Sequence, residues 1–139
     1  MFWDSSAIVS LLVVEPHSEQ ARDALLQDAR MIVWWGTVVE CLSALAKNER
    51  IGVLTTAEAD GARRDLLVLR DNWDEVAPIE EVRERAGGLL LRHELTAADA
   101  LQLAAALTWA RGRPRHHHFH TFDVDLSEAA RREGFVLLS

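Results

Sequence analysis

Cysteine occurs once, at Cys41, which excludes an internal disulfide framework and suits a reducing compartment. No apolar run reaches the roughly 18 residues that a membrane span needs. The opening "MFWDSSAIVSLLVVEP" is apolar, yet it has no basic leader or small-residue cleavage site, so a cytoplasmic protein without a signal peptide is expected. Basic residues are the minority, 15 against 22 acidic, for a net charge of −7. That balance argues against binding nucleic acid through the whole surface. It leaves open a local site where a metal ion reverses the field. There is no repeat, no low-complexity linker, no CxxC or HExxH pair and no Gly-rich phosphate loop.

What remains is an ordinary globular composition, 49% hydrophobic and 27% charged, over 139 residues. One domain spanning residues 1–139 is the economical reading, long enough to bury about two-thirds of its unfolded surface. "MFW" reads as a short strand ending at Asp4, with Ser5 or Ser6 capping a helix through "AIVSLLVV". A helix over Ser18–Ala29 and a strand over "MIVWW" follow. In "TVVECLSALAKNERIG", Val38, Leu42, Leu45 and Ala46 share a helix face, and Gly52 lies past its end. Two further helices flank a strand at "EVAPI". "TAADALQLAAALTWARG" is a strong helix, "HHFHTF" a strand, "SEAARREG" a helix and "FVLLS" a last strand. Strands alternating with helices predict a parallel sheet covered on both faces, with ligands gathering beyond the carboxyl ends of its strands.

Four acids fall at that rim. Asp4 and Asp123 follow strands, while Glu40 and Asp99 sit in first turns of helices, whose N-termini favour ionised carboxylates. Ionised oxygen ligands suit magnesium or manganese. A plainer reading stands beside this. Thr37–Glu40, Thr96–Asp99 and Thr55–Glu58 all match a capping box, in which the acid only satisfies a backbone amide. Asp4 alone fits a turn or a cap, and Asp123 alone a strand-end turn. Distance along the chain cannot show that the acids converge.

"FWDSSAIVSLL", "TVVECLSAL", "LTAADALQLAAAL" and "HTFDVDLSEAARREGF" together resemble the PIN-domain family, particularly VapC-like toxins of bacterial toxin–antitoxin pairs. The resemblance runs through nearly the whole chain in order. It implies an α/β fold, a PIN-like doubly wound sheet of about five parallel strands with helices on both faces. It also implies an endoribonuclease dependent on Mg2+ or Mn2+ and a cognate antitoxin that blocks the site. The family's acidic quartet falls on Asp4, Glu40, Asp99 and Asp123, with Thr121 as an accompanying hydroxyl. Asp4, Asp99 and Asp123 would be the main metal ligands; Glu40 would be a ligand or would orient the attacking water. Asp125 competes with Asp123, which is preferred because it directly follows the strand; Asp125 is then an outer or occasional ligand. A non-catalytic PIN-like module binding RNA or protein is the alternative. "DVD" as an aspartyl phosphotransfer motif is a third reading, without a phosphate loop to support it.

Other residues carry paired readings. Arg111, Arg113 and Arg115 form the densest basic stretch, either RNA contacts or a solvated loop. Trp3, Trp34 and Trp35 are stacking surfaces or core. His116, His117, His118 and His120 invite zinc, but no partner ligands accompany them, so exposure or packing is preferred. Cys41 reads as a small buried hydrophobe. Apolar excess in "SAIVSLLVV" and "LSALAKNERIGVL" is surface for a homodimer or antitoxin, or burial in the monomer.

Overall fold

A computed structural model describes residues 1–138. Five strands form one parallel sheet: β1 Phe2–Trp3, β2 Ile32–Trp34, β3 Asp74–Val76, β4 His118–His120 and β5 Val136–Leu137. Seven helices connect and flank them: α1 Ser5–Leu12, α2 Ser18–Gln27, α3 Thr37–Arg50, α4 Thr56–Asn72, α5 Glu80–Arg92, α6 Ala97–Trp109 and α7 Val124–Glu133. The last strand expected from "FVLLS" is two residues long, and Ser139 lies outside the described residues. None of the described helices is long and apolar enough to cross a membrane.

The strand order is β3-β2-β1-β4-β5. The chain builds outward from β1 on one side, then returns to build outward on the other. Its direction therefore reverses between β1 and β4, and in such sheets the crevice beyond that reversal is the natural ligand site.

Side-chain alternation divides the core in two. Phe2, Ile32, Trp34 and Phe119 face α5, α6 and α7, packing on Leu89, Leu103 and Leu126. Met1, Trp3 and Val33 face the other helices, packing on Ile8, Cys41, Leu45 and Leu66. Phe2 stacks on Phe119 at 5.3 Å across the reversal. Strands this short contribute few ladder bonds, so the two apolar layers hold the sheet. Helix α6 is buried through Ala100 and Gln102–Leu107. Its alanines let it lie close to both α5 and the sheet.

Several expected boundaries move. Asp4, rather than Ser5 or Ser6, caps α1, because its carboxylate reaches the Ala7 N–H. Helix α7 starts at Val124, since the Asp123 carboxylate caps it through the Leu126 N–H. Asp125 thus lies in a helical turn. The buried face of α3 is Thr37, Cys41 and Leu45, not the Val38, Leu42, Leu45 and Ala46 stripe; Leu42 is 40% exposed. The α3 register is set by a threonine and a cysteine, which a hydrophobicity count underweights.

Candidate active site

The carboxyl ends of β1 and β4 are joined by side chains. Asp4 is buried, and its Oδ1 accepts from Ser6 Oγ at 2.7 Å and the Ala7 N–H at 3.2 Å. Thr121 Oγ1 donates to Asp4 Oδ2 at 3.0 Å and itself accepts the Asp123 N–H at 3.0 Å. Ser6 Oγ also accepts the Phe122 N–H at 2.9 Å. The Asp4 N–H in turn donates to the His120 carbonyl at 3.1 Å. Asp4 and the segment leading to Asp123 are therefore one hydrogen-bonded unit at the sheet's reversal point.

Glu40 approaches from α3. Its Oε1 accepts from Ser5 Oγ and its Oε2 from Gln102 Nε2, both at 3.0 Å. Gln102 is fully buried and also donates to Thr37 Oγ1 at 2.9 Å. This answers the capping reading for Glu40: α3 is capped at Gly36, and the carboxylate is held by side chains from α1 and α6. In α6, Thr96 accepts the Asp99 N–H at 3.2 Å, half of a capping box. Of the three matches, Thr55–Glu58 alone closes both halves.

The acids sense one another. Burial raises the Asp4 carboxyl from the ordinary 3.8 to about 7, against the lowering effect of its three hydrogen bonds, and the charge of Asp99 adds to the rise. Burial likewise raises Glu40, again with a contribution from Asp99. Asp99 is itself raised by burial first, then by Asp123 and Asp125. Asp99 is the hub of this repulsion. Asp123 is half-buried and Asp125 exposed.

No cation offsets these charges. Among the described residues, none of Asp4, Glu40, Asp99 and Asp123 lies in an ion pair. His120 stays neutral, since burial pushes it from 6.5 down to about 4. Crowded carboxylates without a counter-charge stay partly protonated. Their hard oxygen donors and unmet negative charge fit magnesium or manganese. Among the described residues, no three His, Cys, Asp or Glu side chains surround a common point closely enough to hold an ion by themselves. Such a donor set suits an ion that keeps several of its waters.

The remaining sequence candidates separate. Trp3 and Trp34 are buried, leaving Trp35, 55% exposed, as the accessible ring of the three. His116 and His118 are exposed, His117 packs edge-on against Trp109, and His120 is enclosed by Trp3 and Phe122. Cys41 is buried, and burial with the neighbouring Glu40 and Asp4 charges holds its thiol protonated. Arg111, Arg113 and Arg115 lie in the loop before the amino end of β4, whereas the acids gather beyond its carboxyl end. Ser5, Ser6 and Gln102 complete the site without having been singled out as functional. A lone glutamine inside "ALQLAAAL" is the signal that marks Gln102.

Known proteins resemble this chain in sequence and in fold. Ribonuclease VapC45 and ribonuclease VapC49, from two strains of Mycobacterium tuberculosis, are each 34% identical over 116 residues, covering 77% of this chain and 74% of the relative. The crystal structure of Mycobacterium tuberculosis VapC20, described as a sarcin–ricin-loop-cleaving toxin, superposes with a TM-score of 0.64 at 23% identity, covering 97% of this chain and 95% of the other. The family model for the PIN domain matches residues 1–132, and the chain belongs to that family.

Proposed function

We propose that the chain is a VapC-like toxin, an endoribonuclease that hydrolyses RNA phosphodiester bonds with Mg2+ or Mn2+ at Asp4, Glu40, Asp99 and Asp123. The observation that carries the reading is the buried Asp4 carboxyl, tied to the end of β4 through Thr121 and raised by burial, with a smaller contribution from Asp99 and no cation beside it. The curated relatives named as ribonucleases support the same chemistry. A bound divalent ion supplies charge neutralisation at the scissile phosphate and a lowered pKa for the attacking water.

The chain's own residues divide the remaining work. Asp4, Asp99 and Asp123 hold the ion, directly or through water. Thr121 and Ser6 fix the Asp4 carboxylate, so its second oxygen keeps one orientation. Glu40, held by Ser5 and Gln102, is placed to accept a proton from the attacking water or to join the ligands. Exposed Asp125 bears on the site through its charge on Asp99. A non-catalytic module has no need of four acids with unmet charge at one rim. The reading is tested by incubating purified protein with a mixed RNA pool and sequencing the cut ends. Cleavage present with Mn2+ and absent with a chelator supports it; no cleavage under either condition removes it.

Gln102 gives a finer test. Gln102→Leu keeps the volume but removes a donor that lowers the Glu40 pKa. Glu40 is then protonated over a wider acid range and loses a bond that positions it, so activity should fall about tenfold through the lost positioning. The acid limb of the pH–rate profile should move to higher pH. An unchanged limb would take Glu40 out of the reaction.

Val39, Leu42, Ile51 and Val53 remain exposed on and after α3. We place a homodimer or antitoxin contact there, and sedimentation of the protein with and without antitoxin distinguishes the two.

A further inference from the structure

Helix α6 links two edges of the molecule. Asp99 lies in its first turn and Trp109 at its end, ten residues on, so the two are about 15 Å apart along the axis. Beyond Trp109 the chain forms a groove of about 430 Å³ lined by Trp109, Ala110, Arg111, Arg113 and His117. That volume lies within the range of small-ligand sites. His117 meets Trp109 edge-on at 4.9 Å, and its buried Nδ1 has no partner. Arg111, Arg113 and Arg115 are exposed, and among the described residues none of them pairs with a carboxylate, although acids outnumber bases in the chain.

The loop is also held in a defined shape. Arg111 and His116 adopt left-handed backbone, φ 53° and 72°, which is uncommon for residues other than glycine. The Arg111 N–H donates to the Thr108 carbonyl, Arg113 to Ala110 and His117 to Pro114. Guanidinium groups match phosphate oxygens in paired hydrogen bonds, and an indole face accepts an unpaired base.

We propose that this groove is a second RNA-holding point, which grips the substrate about four nucleotides from the scissile bond, at roughly 3.4 Å per stacked nucleotide. The proposal rests on the ribonuclease reading and adds a length requirement to it. RNA that spans both ends of α6 is bound through phosphates at Arg111, Arg113 and Arg115, with a base against the part of the half-buried Trp109 that lines the groove. A trinucleotide reaches only the carboxylates.

The test replaces the three exposed arginines, R111A/R113A/R115A, and leaves Trp109 and the site intact. With RNA of about 20 nucleotides, KM should rise about tenfold at unchanged kcat, and the log–log salt slope of binding should shrink by about two, at roughly 0.7 per lost phosphate contact. Competition by a trinucleotide should be the same for both proteins. Unchanged KM and salt slope would overturn the proposal, as would intact RNA affinity with loss of antitoxin binding. If the parent protein cuts no RNA, yet labelled RNA binds with a slope that the triple variant reduces, the ribonuclease reading fails and the groove stands.

Discussion

Asp4→Asn should abolish RNA cleavage, by about 10²–10³-fold or more, and at the same time make the metal-free protein more stable above neutral pH. The activity loss follows from removing a metal ligand, where charge stabilisation is worth several kcal/mol at about 1.4 kcal/mol per tenfold. The gain in stability follows from burial. Asp4 titrates near 7 in the fold and near 3.8 in the unfolded chain. Between those values the folded state binds more protons, so stability falls as pH rises. Above about pH 7 the full penalty is present, about 4 kcal/mol at roughly 1.4 kcal/mol per pH unit. Asparagine carries no charge but keeps fewer of the bonds from Ser6, Ala7 and Thr121, each worth about 1 kcal/mol. The net gain is on the order of 1–2 kcal/mol, a rise of several degrees in Tm at pH 8. At pH 4 Asp4 is protonated in the fold and the penalty is absent, so the variant should be the less stable of the two by the lost bonds, about 2 kcal/mol. Thermal melts with chelator at both pH values check this; a variant that is less stable at pH 8 would mean that Asp4 is a structural cap and nothing more.

Asp99→Asn should cost a comparable 10²–10³-fold in cleavage with little effect on folding. Its backbone bond to Thr96 survives the change, and the side chain is only half-buried. Its distinguishing consequence is electrostatic. The Asp99 charge raises both Asp4 and Glu40. Removing it lets both ionise at lower pH, so the fall of metal-free stability between pH 4 and 7 should shift toward acid. Asp125→Asn, at the exposed end of the same chain of repulsion, should change activity less than about threefold, in line with its surface position. Equal losses at Asp99 and Asp125 would move the fourth ligand from Asp123 to Asp125. Melts and initial rates across pH read both effects.

The fold was legible because periodicity changes from two to 3.6 at each junction, and glycines such as Gly112 and Gly134 stand at helix ends with positive φ. Strand lengths were overestimated, since apolar residues continue past the paired segment into the caps. The site was legible as position: each acid lies at a strand end or a helix start. What holds it was not. Ser5, Ser6 and Gln102 act through contacts 35, 116 and 62 residues away in sequence, to Glu40, Phe122 and Glu40 respectively. Serine before a helix also reads as a cap, so its contact with a distant carboxylate leaves no local trace. The capping boxes show the converse. Three matched by sequence, yet Glu40 is drawn away by Gln102, a partner that only the tertiary fold brings to it from α6.

The proposed chemistry requires carboxylates whose mutual repulsion is relieved by a divalent ion. Calorimetric titration of Mn2+ into chelator-treated protein at pH 6.5 tests that directly. Binding should release protons, because ionised ligands are required and Asp4 starts largely protonated, and it should vanish in Asp4→Asn. No binding by the parent protein, or equal binding by the variant, would contradict it.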